Sequence, residues 1–401
     1  MRKITIAASL CAALAGLAPA AAAQERIVVR PEPGAPVVTV EVLLAAGPVD
    51  EPEGQEGIAY LTARSVVAPI TPLLDSLGTR LRVNGGKEAV SLTLTSAPET
   101  WEEAARILLV ALFRDPVDSA SVMRQRTALA AELTAREASP ADALARVVDA
   151  AVWGAGHPWG RPAVGTAASV GRIPASTVES FLRRAFTQDR AVVAVVGPVE
   201  RAAVVARLAG YLEPGELRTS EVPAPETGDT AVHAEYNAIT AWVSASYRFG
   251  ADADAEAIRL LGELVVDQVG FGPSRRSVYN AGAEVVRHAG GGELRIHLVV
   301  PPREAEPWAG RIREAVAGYV AAPLPPAQFA ERARRFRGRR LMELDSPEAR
   351  ADVLARAALL GDRGDPFDRV RAVTAERLQA AAKSLQNPVL VFLGPFEKER
   401  E

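Results

Sequence analysis

The chain has 401 residues, 46 of them basic and 49 acidic, for a formal net charge of −3. That balance lacks the basic excess that holds a phosphate backbone, so no nucleic-acid partner is expected. Nearly half of the residues are hydrophobic (48%) and only one is cysteine, which rules out a disulfide framework and makes buried apolar cores the expected source of stability.

The first 23 residues read as a secretory signal peptide. Arg2 and Lys3 supply the basic start, an apolar run follows, and Ala21 and Ala23 give an A-x-A cleavage pattern. Cleavage near Ala23 would export the protein to the periplasm without a transmembrane anchor. Cys11 follows Leu10 instead of a small residue, a poor acylation site, so the mature chain is expected to carry no cysteine.

Val37 to Gly47 alternates as a strand, and Glu56 to Val67 reads as an amphipathic helix entered through a glycine turn. Thr79 to Val90 reads as a strand bearing Arg80, Arg82 and Asn84, with Asn84-Gly85-Gly86 as its turn. Glu88 to Phe113 is a strand, a turn and a helix. Ile173 to Glu200 is a helix with Ser176 as N-cap, a short turn and an apolar strand closed by Gly-Pro. Glu213 to Thr230 is rich in proline, glutamate and threonine and lacks either periodicity, as a linker does.

The same order then recurs. Ala238 to Gly250 is a strand ahead of a helix at Ala255 to Val266, and Gly292 to Val320 repeats the strand, turn and helix. Val373 to Glu397 repeats the closing helix and strand, with Thr374 as N-cap. The basic stretch from Arg332 to Leu341 reads as the solvated face of a long helix, because Glu331, Glu343 and Asp345 flank it. The fold class is therefore α+β: two duplicated domains, 24–212 and 231–398, joined by a linker at 213–230. Each is expected to be an antiparallel-rich sheet with helices packed on one face.

With Gly57 and Ala59 framing the first helix and "HPWGRPAVGT" at His157 to Thr166, this duplicated arrangement resembles the insulinase and pitrilysin family of zinc peptidases, which includes the mitochondrial processing peptidase subunits. The resemblance covers nearly the whole mature chain and implies the processing-peptidase fold. In the family's H-x-x-E-H motif two histidines on one helical face hold zinc and the glutamate polarises the attacking water. Tyr60, Ala63 and Arg64 stand at those positions here. The resemblance also places Glu132 at the third-ligand position and Gln125 where a supporting glutamate is found. A lone carboxylate does not hold zinc, so neither a metal nor a catalytic residue is expected in this chain. Two readings of Glu132 stand: an ion pair with Arg64 in place of the metal, or a solvent-facing carboxylate on a helix patterned i, i+4.

Active members of the family also supply an arginine and a tyrosine from the second half. Val278 and Val285 fall at those positions, with Arg276 and Tyr279 nearby at the wrong spacing. His157 belongs to a turn, His233 opens the second half, and His288 and His297 flank a hairpin across which they could approach without a third ligand; all four read as structural. No G-x-S-x-G and no mature cysteine offers another nucleophile.

The resemblance thus implies a catalytically inactive subunit that completes the peptide chamber of a zinc-bearing homologue in the periplasm, with zinc only in that partner. Extended peptide would add along Arg80 to Asn84, with Arg80 and Arg82 favouring carboxylate-bearing peptides; the alternative is an ordinary hairpin with its arginines on the wet face. A non-proteolytic structural or assembly homodimer is the alternative of a different class. A hydrolase with a relocated site is disfavoured by the missing ligands.

Overall fold

The computed structural model describes residues 26–213, 215–225, 230–270, 277–362 and 364–396. The expected signal peptide at 1–23 lies outside the described residues, as do Arg276 and Glu397.

The first half runs Ile27–Pro31 (β1), Val38–Leu44 (β2), Ile58–Val67 (α1), Thr71–Ser76 (α2), Arg80–Gly85 (β3), Val90–Ser96 (β4), Trp101–Phe113 (α3), Ser119–Glu137 (α4), Pro140–Trp153 (α5), Ala167–Arg172 (α6), Ala175–Ala185 (α7), Ala191–Gly197 (β5) and Arg201–Leu208 (α8). The second runs Ala231–Glu235 (β6), Ala241–Gly250 (β7), Ala255–Gly270 (α9), Asn280–His288 (β8), Gly291–Val300 (β9), Ala305–Ala321 (α10), Pro326–Glu343 (α11), Pro347–Leu359 (α12), Pro366–Arg371 (α13), Ala375–Ser384 (α14) and Val389–Gly394 (β10).

The duplication is visible in the sheets. One has the order β1-β5-β2-β4-β3 and the other β6-β10-β7-β9-β8. In each, only the outermost pair is parallel, β1 with β5 and β6 with β10. The remaining pairs are antiparallel, with Val42 facing Val193 and Leu92 in the first sheet and Ser244 facing Val391 and His297 in the second.

Each sheet packs helices of its own half on one face. Val38, Val40, Val42 and Leu44 of β2 meet Ile58 and Leu61 of α1, Leu108 of α3 and Phe181 of α7. The other face is covered by a helix from the opposite half, an exchange that periodicity alone does not announce. Leu43 of β2 and Val192, Ala194 and Val196 of β5 share a core with Ala351, Leu354 and Ala355 of α12. Val389, Val391 and Leu393 of β10 pack with Ala143, Leu144, Val148 and Val152 of α5. This double coverage is why β5, "AVVAVVG", is buried along its whole length and can be written without a polar alternation.

Several local expectations change. Pro174, not Ser176, occupies the N-cap of α7, and no side chain caps that end; Thr374 does cap α14, accepting a hydrogen bond from the Arg377 amide. Asn84 and Gly85 lie inside β3, so the connection to β4 begins one step later, where the Gly86 amide donates to the Ala89 carbonyl at 3.0 Å. The basic face of α11 is not simply solvated. Arg332 pairs with Asp267, Arg339 with Glu263 and Arg340 with Glu256, a ladder of ion pairs onto α9. Residues 215–225 form neither helix nor strand, and they lie against the first half through Ser220 to Asp50 (2.6 Å) and Pro223, whose carbonyl takes a hydrogen bond from His157 Nε2 (2.9 Å).

Candidate functional site

The entry to α1 depends on a close backbone approach. Gly57 sits at φ 91°, and a Cβ there would come within 2.5 Å of the Val164 carbonyl oxygen, so only glycine fits. Gly165 is its counterpart across the contact, at φ 74°. The two sequence signatures, the glycine before the helix and the glycine near the end of "HPWGRPAVGT", are therefore two sides of one packing contact. Glu51 anchors the same helix start: its carboxylate accepts from the Gly57 amide at 3.0 Å and the Ala59 amide at 3.1 Å. Burial pushes that carboxyl up to about 7 against the pull of the two amides.

Along α1, Ala63 is fully buried in the first core and offers no base. Arg64 reaches across to α4. Its Nη1 and Nη2 donate to the two Glu132 carboxylate oxygens at 2.6 and 2.9 Å, and its Nε donates to Gln125 Oε1 at 3.2 Å. This is a bidentate fork with a third bond behind it. The contact holds the Glu132 carboxyl below its usual range and raises Arg64 above its own. Tyr60 lies on the same face, its ring centroid 5.7 Å from the Arg64 guanidinium carbon and its hydroxyl 3.5 Å from the Val83 carbonyl on β3.

Tyr60, Ala63, Arg64, Gln125 and Glu132 are thus brought to one place, where the three motif positions meet the two on α4. The residues present do not fit a zinc ion. One carboxylate remains, a guanidinium occupies both of its oxygens, and a cation beside a cation is repelled. Among the described residues there is no group of three or more His, Cys, Asp or Glu side chains that could hold a metal.

Beside the motif lies a cleft of about 390 Å³ lined by Tyr60, Asn84, Lys87, Leu133, Asp149 and Val164, among others. In its wall, Lys87 Nζ donates to Asp149 Oδ2 at 2.7 Å, and Arg295 Nη2 of the second half donates to Asp149 Oδ1 at 2.7 Å and also pairs with Glu293. Burial lowers Lys87 and raises Glu293. No sequence motif pointed to this chain of charges, whose members are far apart in sequence.

β3 has only β4 as a sheet neighbour among the described residues. Arg82 and Asn84 are exposed on it. Arg80 is engaged: its Nη2 meets Glu348 of α12 at 2.8 Å, and Thr95 donates to the same oxygen at 3.0 Å. Val285 lies half-buried on β8, the outer strand of the second sheet, and Tyr279 just before it is 64% exposed.

The histidines are dispersed. The register pairs His288 with Gly291 and His297 with Gly282, so the two sit at separate levels of the hairpin, about 20 Å apart along the strand, and do not approach each other. His288 stacks on Trp159 with ring centroids 4.1 Å apart, His233 stacks on Phe392 at 4.5 Å, and His157 accepts at Nδ1 from the Trp159 amide.

No protein-family profile matches the chain. An uncharacterised zinc protease of Mycobacterium tuberculosis is 34% identical over 109 residues, 27% of this chain and 25% of that one. The chain thus spans about a quarter of the length of that curated relative. A peptidase M16 inactive domain from Pseudomonas fluorescens superposes with a TM-score of 0.77 at 17% identity, covering 94% of this chain and 97% of that one. A protease from Helicobacter pylori does so with 0.79 at 16%, covering 92% and 96%. The fold is that of the M16 peptidases in both duplicated units, and the chain is similar in sequence to zinc proteases while its own motif positions hold no metal-binding set.

Proposed function

We propose that this chain, built on the insulinase and pitrilysin peptidase fold but without a metal pocket of its own, is a non-catalytic subunit. It would complete the peptide chamber of a zinc-bearing homologue after export to the periplasm. The observation that carries this reading is the Arg64 fork on Glu132, which closes the metal position while leaving the helices and the neighbouring cleft intact. The edge of β3 supports a peptide role, since an extended segment can extend a sheet there by backbone pairing. Arg80 is committed to Glu348, so Arg82 is the arginine left to meet a peptide carboxylate.

The test is co-purification with a homologue bearing an intact H-x-x-E-H motif, followed by peptidase assays on each chain alone and on the mixture. Activity in the mixture well above the homologue alone, with none from this chain, supports the reading. Stoichiometric zinc and unaided cleavage by this chain would overturn it. A homodimer that ignores both homologue and peptide would replace it with an assembly role.

A further inference from the structure

A second cavity, of about 650 Å³, lies in the other half of the molecule. It occupies in the second half the place that the motif cleft occupies in the first: the start of the first helix, the end of the edge strand, the end of the long helix and the face of the helix after it. Its wall is formed by α9, β8, α11 and α12, with Arg369 of α13, Arg377 of α14 and Glu88 of the first half. The second cavity is the larger of the two, about 650 against 390 Å³.

Among the described residues, six arginines and seven carboxylates line it. Most of them satisfy each other, as Arg287 and Arg369 do on Asp362 and Arg377 does on Asp254. Arg259 is the exception, because none of its nitrogens donates a hydrogen bond among the described residues. The nearest carboxylate oxygen, Glu256 Oε2, is 3.7 Å from Arg259 Nε and 3.4 Å from Arg340 Nε, and none of these three buried atoms has a hydrogen-bond partner. Two orphaned nitrogens beside one orphaned oxygen are costly in a native fold and mark a place where a bound group can complete the network. Arg340 also holds Glu343 through Nη1 at 2.9 Å, so Arg259, left with only the 3.7 Å approach to Glu256, is the guanidinium open to a further carboxylate. At the mouth, the exposed Asp252 carries no ion pair among the described residues.

We propose that this cavity binds a small zwitterion of the amino-acid or dipeptide class, its carboxylate on Arg259 and its ammonium on Asp252. The volume lies in the range of small-ligand pockets, about 300–1,000 Å³. The near balance of charges in the wall selects against a phosphate, which would be repelled by the carboxylates, and for a ligand that carries both signs.

Isothermal titration of the full chain with glycylglycine, L-aspartate, L-arginine, L-leucine, succinate and inorganic phosphate tests the assignment and needs neither a partner subunit nor peptidase activity. Its failure is therefore distinct from failure of the subunit reading. At least one amino acid or glycylglycine should bind at one per chain with a Kd of about 1 mM or tighter. Arg259→Gln should weaken it at least tenfold. Asp252→Asn, an exposed change that leaves the fold alone, should weaken the same ligand several-fold without weakening succinate. Absence of zwitterion binding to the wild-type chain, binding unchanged in both variants, or preference for phosphate would each overturn the proposal.

Discussion

Arg64 gives Glu132 two hydrogen bonds and Gln125 a third, so its removal strands a carboxylate at a helix interface. Glu132 is half exposed, which screens the pair, and a double-mutant cycle of Arg64→Ala with Glu132→Gln should report a coupling of only about 1 kcal/mol, smaller in high salt. A coupling indistinguishable from zero would make the pair ornamental. Glu41 is the opposite case. It is 1% exposed on β2, neither carboxylate oxygen has a hydrogen-bond partner, and Thr93 and Ser91 of β4 and Asp352 and Arg356 of α12 are the groups around it. Burial pushes its carboxyl from 4.5 up to about 7. The folded state therefore keeps a proton that the unfolded chain gives up, and stability declines as pH rises from about 4.5 to about 7, then levels. Glu41→Gln should remove this share of the decline and raise stability at pH 8 by about 2 kcal/mol, read by denaturant unfolding at pH 5 and pH 8. Glu51 shifts in the same direction, so a smaller slope should persist. The motif brought Arg64 and Glu132 into one register and so left their contact as one of two readings of Glu132, which the fork then decides. The Lys87, Asp149 and Arg295 chain was not legible in the sequence, since residues 62 and 146 positions apart leave no local pattern.

At the scale of elements, the two glycines that clasp α1 are the most exacting feature. Gly57→Ala would force a side chain onto a positive φ and into the Val164 carbonyl at once, and should cost more than 2 kcal/mol, against near neutrality for alanine at Gly34, where nothing stands within 4 Å. Comparing the thermal midpoints of these two variants checks it. Strands were readable from period, as the burial of Val38, Val40, Val42 and Leu44 shows, whereas of the two expected helix caps Thr374 holds and Ser176 does not. The layer above those strand residues was not readable. Thr39 and Glu41 alternate with those residues like a wet face, yet both are buried under α12. Polar residues at alternate positions announce a change of face; they do not say whether water or another helix lies there. The ion-pair ladder between α9 and α11 was hidden for a related reason, since a run of arginines looks the same whether it faces solvent or a neighbouring row of acids.

Over the whole molecule, the exchange of α5 and α12 decides how the halves depend on each other. Produced alone, 24–212 would expose Leu43, Val192, Ala194 and Val196, and 231–398 would expose Val389, Val391 and Leu393, apolar surfaces that favour aggregation. Each half alone should be poorly soluble or loosely packed, and the two produced together should recover the circular dichroism and cooperative melting of the intact chain; soluble, cooperatively melting single halves would contradict this. Read in the other direction, the exchanged helices act as reciprocal latches. A nick between 215 and 225 should leave a particle that stays assembled through gel filtration, and a gene cut into two reading frames at that point would still encode one working body.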